Sequence, residues 1–379
     1  MMNGVLASLD PGPGASKRIP VSLAILALIA FACILGPIVS PHPYDRVYPD
    51  YVFANPSLEP HPTADEARTA IADIARRMGA GVASLRQGNA GLEVTLTGGR
   101  PIDAGDLRIF ESSDVFAAPG IDARADAGRR LTLAIPLKKN IFLFGTDANG
   151  RDLLTRTLLA GRVSLAVGLL ASFVALVVGV AYGAIAGFAG GAVDAVMMRI
   201  VEILYALPFI FFVIVLVMVF GRNFALIFVA IGAVEWLDMA RLARGQTLSL
   251  KQREFVLAAR ALGVAPAAII WGHILPNASG PIIAFLTLLA PRAILLESFI
   301  SFLGLGVEEP LSSWGVLIAD GARNIQGAIH LLIVPAAFLG ATLAALQSLG
   351  QGLQQSFAAG FGGAPNRLAV PANLLAPPE

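Results

Sequence analysis

The sequence predicts a mostly α-helical, polytopic membrane protein with six transmembrane helices and a small α+β domain inserted outside the membrane. Three observations carry that expectation. Of 379 residues, 56% are hydrophobic and only 14% charged, and the mean hydropathy is +0.73, well above soluble composition. The apolar residues gather in long runs parted by short, punctuated segments. Residues 41–140 break the pattern, with more charge, frequent proline up to Pro62 and no run long enough to span. A net charge of +1 gives no sign of a nucleic-acid partner. The single cysteine, Cys33, excludes an internal disulfide and a cysteine-based zinc site. His42, His61, His273 and His330 are scattered without metal-ligand spacing.

Residues 1–18 are a polar, Gly/Pro-rich cytoplasmic tail ending in Lys17-Arg18. Ile19–Val39 is long enough to cross a bilayer. Its length and the Ser40-Pro41 that follows favour an uncleaved span over a signal peptide, so the first membrane segment occupies 19–40. Within 41–140, Thr63 and Glu66 have capping-box spacing, so a helix should run from there to Met78 and close at Gly79. Leu92–Thr97 alternates like a strand, and Asp106–Phe110 and Arg130–Ile135 read similarly. This insert is either a spacer or a docking surface for an extracellular solute-binding protein.

Five further spans are expected at Val163–Gly187, Leu204–Phe220, Phe224–Ala240, Ser279–Leu303 and His330–Leu353. Gly168, Gly179, Gly183 and Gly187 suit close helix packing in the first of these. With the N-terminus inside, 41–160 lies outside, 188–203 inside, 221–223 outside, 241–277 inside and 304–329 outside, with the tail 356–379 inside. The charge of 241–277 agrees: Arg241, Arg244, Lys251, Arg253 and Arg260 stand against the single acid Glu254, as on the cytoplasmic side of a membrane.

That basic segment has internal structure. Phe255, Ala258, Ala259 and Leu262 share one helix face. Gly263 can form a left-handed cap, Pro266 can open a second short helix, and Pro276 would stop it. The words FVLAARALGV and HILPN resemble the EAA loop of ABC importer permeases, in particular the dipeptide and oligopeptide branch. The resemblance makes Leu257, Ala258, Ala259, Arg260, Gly263, Ile274, Leu275 and Pro276 the segment that couples to the ATPase. Leu257 stands where the family usually has glutamate.

A second resemblance lies in FGTDANGRDLLTRTLLAGRVS. Gly145, Thr146, Asp147, Gly150, Arg151 and Asp152 match the family's GTDxxGRD, and Arg156, Gly161, Arg162, Ser164 and Leu165 match the following steps. Asn149-Gly150 is a turn signal, and Asp152 and Arg156 are spaced to pair along a helix. No strand and Gly-rich loop surround GTD, which speaks against phosphate binding. Further matches are Ser301–Gly306 (SFLGLG), preceded by Glu297; Ser313-Trp314-Gly315 after Pro310; and Gly350, Gly352 and Leu353. Gln351, Gln354 and Gln355 replace charged residues there. The well-matched core is 141–355.

The resemblance implies a type I ABC importer permease fold in a bacterial inner membrane, and the role of a C-type permease subunit for peptides. The implied partners are a second homologous permease, two ATP-binding subunits, a periplasmic substrate-binding protein and membrane lipid. ATP and Mg would belong to the ATPase subunits, since no Walker A sequence occurs here, and this chain would bind no cofactor or metal. Related permeases also serve nickel complexes and glycosides. Ionisable residues inside spans are functional candidates because charge in hydrocarbon is costly. On that ground Arg292 and Glu297 are expected along the translocation path, or in ion pairs such as Arg292 with Glu235 or Asp238. An ion-coupled secondary transporter using those four residues is the rival reading. A ligand-binding receptor whose spans only anchor it is a third.

Overall fold

The computed structural model describes residues 15–362 apart from 89–90, 104, 222–223, 308 and 310. The tail up to residue 14, residues 222–223, Pro310 and the tail beyond 362 therefore lie outside the described residues. The chain divides into two compact units. One comprises the described residues up to Ile34, Ala160–Ala319 and those from Ala336; the other comprises Leu35–Leu159 and Asp320–Pro335. The first helix, α1 (Ala15–Val39), contributes to both.

The second unit holds the sheet. Helix α2 (Ala64–Arg77) opens with the expected capping box: the Thr63 side chain accepts from the Glu66 N–H, and Glu66 accepts in return from the Thr63 N–H. Gly79 follows with φ +69°. Four antiparallel strands, β1 (Ala80–Gly88), β2 (Gly91–Gly98), β3 (Gly120–Ala125) and β4 (Arg130–Ile135), lie in the order β1-β2-β4-β3. In the central pair, Leu92, Val94 and Leu96 stand opposite Ile135, Leu133 and Leu131. These six residues are buried with Ile71, Ile74, Phe110, Phe116 and Phe142. Each such side chain contributes about 1.5–3 kcal/mol by leaving water.

The strands at the rim were not legible in the sequence. β3 is exposed throughout and β1 nearly so, so neither shows a buried face to alternate. The strand expected at Asp106–Phe110 is instead one helical turn, Arg108–Glu111. Leu107 and Phe110, three apart, are the buried residues there, which is helical spacing.

In the first unit the helices run longer than hydropathy suggested. α3 spans Leu153–Ala189, starting well before Val163. α4 (Gly191–Ala206) fills most of the expected inner loop and meets α5 (Phe209–Phe220) at a bend of 77°. The single span expected from Leu204 is therefore broken at Leu207-Pro208, where proline offers no N–H and disfavours helix in the residue before it. α6 (Phe224–Leu250) continues unbroken past Ala240, and α7 is Glu254–Ala261. α8 (Pro266–Leu305) is continuous, so Pro276 does not end a helix. It sits just after a π turn, Ile270–Ile274, whose wider ring absorbs the missing N–H and the proline clash. Gly304, at φ +80°, ends the run. α9 (Trp314–Arg323) and α10 (His330–Gly362) complete the described chain.

Among the described residues, α1, α3, α8 and α10 are long and apolar enough to cross a membrane. The bent pair α4–α5 makes a fifth if counted as one. α6 is long enough but carries Glu235, Asp238, Arg241 and Arg244. The expected glycine packing is present. A Cβ on Gly179, Gly183 or Gly187 would meet the backbone oxygen of Trp236, Ala240 or Arg244 at 2.1–2.9 Å, so α3 and α6 lie backbone against backbone over about two turns.

Candidate functional site

The basic segment folds as a helical hairpin. α7 ends in a Schellman motif: the Gly263 N–H bonds to the Arg260 carbonyl and the Val264 N–H to the Ala259 carbonyl. Gly263 takes φ +77°, and a Cβ there would meet nothing. Ala265 then leads into Pro266 at the first turn of α8. The buried side of α7 is Val256 and Ala259, packed on Ile269 and Ile274. The other apolar residues of the expected face turn outward. Phe255 is 40% exposed and Leu262 83%, joined by Leu257 at 51% and Trp271 at 62%. Ala258, Arg260 and Pro276 are exposed too, while Ile274 is buried and Leu275 half-buried.

Four of the five basic residues have intramolecular partners. Arg244 grips Asp194 with two hydrogen bonds, Nε–Oδ1 2.5 Å and Nη2–Oδ2 2.6 Å. Lys251 Nζ donates to the carbonyls of Gly187 at 2.9 Å and Phe188 at 3.4 Å, covering acceptors at the C-terminal end of α3. The Arg260 guanidinium lies 4.6 Å over the Phe188 ring, and that of Arg241 4.3 Å over Tyr205. The end of α6 and the hairpin are thus fastened to the α3–α4 corner through Arg244, Lys251 and Arg260, and Arg241 reaches the far end of α4. Asp194 and Phe188 were missed in the sequence. The one signal for Asp194 is an acid in the first turn of a helix after Gly190-Gly191.

The GTDxxGRD residues form a closed staple in the second unit. Thr146 Oγ1 accepts from the Ala54 N–H at 2.9 Å and donates to the Tyr51 carbonyl. Asp147 Oδ1 accepts from the N–H groups of Asn149 and Arg151, both at 2.8 Å. Its Oδ2 accepts from Arg151 Nε at 2.9 Å and from Arg156 Nη1. Arg156 therefore pairs with Asp147 rather than with Asp152, the partner that helical spacing suggested. Asp152 instead caps α3, accepting from the Thr155 N–H at 2.8 Å and its hydroxyl at 2.6 Å. Burial raises the Asp152 carboxyl above the ordinary range, against the pull of those two Thr155 bonds. Gly145 and Gly150 have φ +78° and +74°.

Other motif residues converge in the first unit. Glu297 is fully buried. Its Oε1 accepts from Ser301 at 2.6 Å, and its Oε2 from Ser164 at 3.2 Å and Ser298 at 3.5 Å. Ser313 donates to Ser301, and the Trp314 N–H to Ser164. Hydroxyls, not a cation, surround this carboxyl. Trp314 is fully buried, so it is not an interfacial anchor. Arg162 explains its own place in the motif. Pro37 cannot donate to the Cys33 carbonyl, and Arg162 Nε does so at 2.8 Å, with Nη2 on the Ile34 carbonyl at 2.7 Å. Arg292 does form one of the ion pairs considered, with Asp238 at 2.8 Å.

Residues 179–361 match the family of binding-protein-dependent transport system inner membrane components. The chain is 50% identical over 231 residues to the oligopeptide transport system permease protein OppC of Haemophilus influenzae, covering 61% of this chain and 74% of that one. It is 55% identical over 213 residues to OppC of Escherichia coli K12, covering 56% and 70%. It is 45% identical over 214 residues to the dipeptide transport system permease protein DppC of Bacillus subtilis, covering 56% and 67%. The chain belongs to this family of inner-membrane transport components. It is a multi-pass inner-membrane protein and the permease subunit, not the ATPase, of a multi-component ABC transporter.

Proposed function

We propose that this permease is the C-type subunit of an ATP-driven importer of peptides, passing on substrate delivered by an extracytoplasmic binding protein through alternating access. The relatives' names, oligopeptide and dipeptide transport permeases, support the substrate class. The carrying observation is the hairpin from Glu254 to Ile274. Its fastened inner side and apolar outer side, with Phe255, Leu257, Leu262 and Trp271 exposed, suit a rigid handle that another protein grips.

In this reading the handle sits in the cytoplasm against one of two ATPase subunits, which hold the ATP and Mg. Leu257, Ala258, Ala259, Arg260, Gly263, Ile274, Leu275 and Pro276 form the coupling surface and its base. A second, homologous permease completes the passage. The six spans are α1, α3, the bent α4–α5 pair, α6, α8 and α10. Residues 41–140 are the extracytoplasmic insert, and 141–355 the permease core. The staple at Gly145–Asp152 fixes the entry to α3.

The test is peptide uptake by the reconstituted complex of both permeases, the ATPases and the binding protein. Gly263→Asp places a charged side chain at the left-handed cap, where a Cβ is disfavoured. It should insert and assemble as wild type yet abolish uptake and the stimulation of ATP hydrolysis by loaded binding protein. Uptake at the wild-type rate sinks the coupling role. Purification of this chain as a lone active transporter sinks the importer reading itself.

A further inference from the structure

Most exposed surface on the spans is apolar, as along α3 at Leu169, Phe173 and Val177. One place differs. Arg292 on α8 is paired with Asp238 on α6 at 2.8 Å, yet the two side chains remain 54% and 22% exposed. That bond uses one nitrogen of the guanidinium, leaving donors that lipid cannot satisfy. One turn earlier on α6, Glu235 is 5% exposed. Its Oε2 has no hydrogen-bond partner among the described residues, and it lies in the field of both Arg292 and Asp238. From this cluster a polar stripe follows one face of α6 toward the coupling hairpin: Asp238, then the exposed Arg241, Gly245 and Ser249. Their spacing of three and four residues keeps them on that face.

We propose that Arg292 and Asp238 line the translocation passage and are the charged contact for a zwitterionic peptide, Arg292 meeting a carboxylate and Asp238 an ammonium group. This rests on the peptide-importer reading. A charged pair within a span is costly against lipid, by about 3 kcal/mol for an arginine at a span's centre, and costs little against water. A pair with no net charge also suits its cargo. A lone fixed charge would hold the opposite end of a peptide and repel the other, whereas passage needs contacts weak enough to release. Glu235 lies beside the pair, where its unpartnered oxygen can take a donor while the cargo occupies Asp238.

The test uses the complete reconstituted transporter in a Cys33→Ala background. Arg292→Cys should lower peptide uptake by about tenfold, the size expected for losing one charge-assisted hydrogen bond. It should react with water-borne methanethiosulfonates and react more slowly while peptide is being turned over. A trimethylammonium reagent, which restores positive charge, should recover uptake; a sulfonate reagent of similar size should not. Arg292→Gln, checked for assembly with its partners, should show the same loss, and Arg292→Lys should retain most of the activity. A thiol at 292 that ignores both reagents, or equal outcomes with the two charges, overturns the inference. Peptide uptake by the unmodified complex is read separately, so failure of the importer reading is distinguishable from failure of this one.

Discussion

Two motif-bearing regions use their residues in opposite ways. In Gly145–Arg156 the polar groups turn inward. Thr146, Asp147, Asp152 and Arg156 are all buried, and both carboxylates accept hydrogen bonds from within the region. In Glu254–Ile274 the polar backbone is closed by a Schellman turn, while large apolar side chains point outward. A motif whose chemistry is consumed internally is fastening the fold. A motif that leaves apolar surface uncovered is presenting it to something else. Resemblance alone does not separate the two, because selection preserves both kinds of pattern.

The sharpest way to break this comparison is the same substitution in each region. Gly150 and Gly263 have nearly equal positive φ, +74° and +77°. A Cβ on Gly150 would stand 2.1 Å from the Tyr48 carbonyl oxygen, whereas one on Gly263 would touch nothing. Gly150→Ala should therefore cost both conformational strain and a backbone shift, about 3 kcal/mol or more, and little folded protein should reach the membrane. Gly263→Ala should cost only the left-handed preference, about 1–2 kcal/mol. It should yield protein of near-normal thermal stability in detergent. Equal losses in the two variants would mean that crowding at Tyr48 does not control the staple.

What the sequence revealed follows the same division. Local chemistry was readable: the Thr63–Glu66 cap, the Gly79 and Gly263 turns, the β2 and β4 alternation, and the helix starting at Pro266. Features set by a distant partner were not. Arg156 chose Asp147 over Asp152 because the loop folds back on itself. Lys251 and Arg260 read as cytoplasmic charge but also hold Gly187 and Phe188. Pro276 looked like a stop because a π turn leaves no mark in hydropathy. In the candidate site, spacing puts Phe255, Ala258, Ala259 and Leu262 on one helix face, yet of these only Ala259 is buried. Phe255 and Leu262 are as apolar as Val256, and only tertiary contact tells which of them is covered.

A second variant isolates the outward class. Leu262 is 83% exposed, so Leu262→Ser should change stability by no more than about 0.5 kcal/mol. If its surface is gripped by an ATPase, removing the anchor should cost about 2 kcal/mol of association. That loss should appear as weaker co-purification of the ATP-binding subunits and slower uptake, with the permease pair intact. A stability loss in the isolated permease comparable to that in the complex would place Leu262 with the inward class.

The smallest effect lies at the rim of the inward class, where a hydrogen-bonded carboxylate is partly exposed. Glu66 accepts from the Thr63 N–H at 2.8 Å and from His61 Nδ1 at 2.9 Å. Burial pushes its carboxyl upward, but the His61 and Thr63 hydrogen bonds together outweigh this and hold it below the usual range. An acid lowered on folding stabilises the folded state at pH above its unfolded value, about 4.3 for glutamate. That stabilisation is lost as pH falls through the folded value. Glu66→Gln keeps an acceptor but loses the charge, so at pH 7 the first turn of α2 should open more easily by no more than about 1 kcal/mol. Amide exchange of residues 64–68 in the full chain, corrected for intrinsic rates, reads this directly. The gap between variant and wild type should narrow as pH falls below the unfolded glutamate value and on through the lowered folded one, where Glu66 itself protonates. A gap that persists unchanged there would show that shape rather than charge closes this cap, leaving Asp147 and Asp152 as the carboxylates on which the inward class rests.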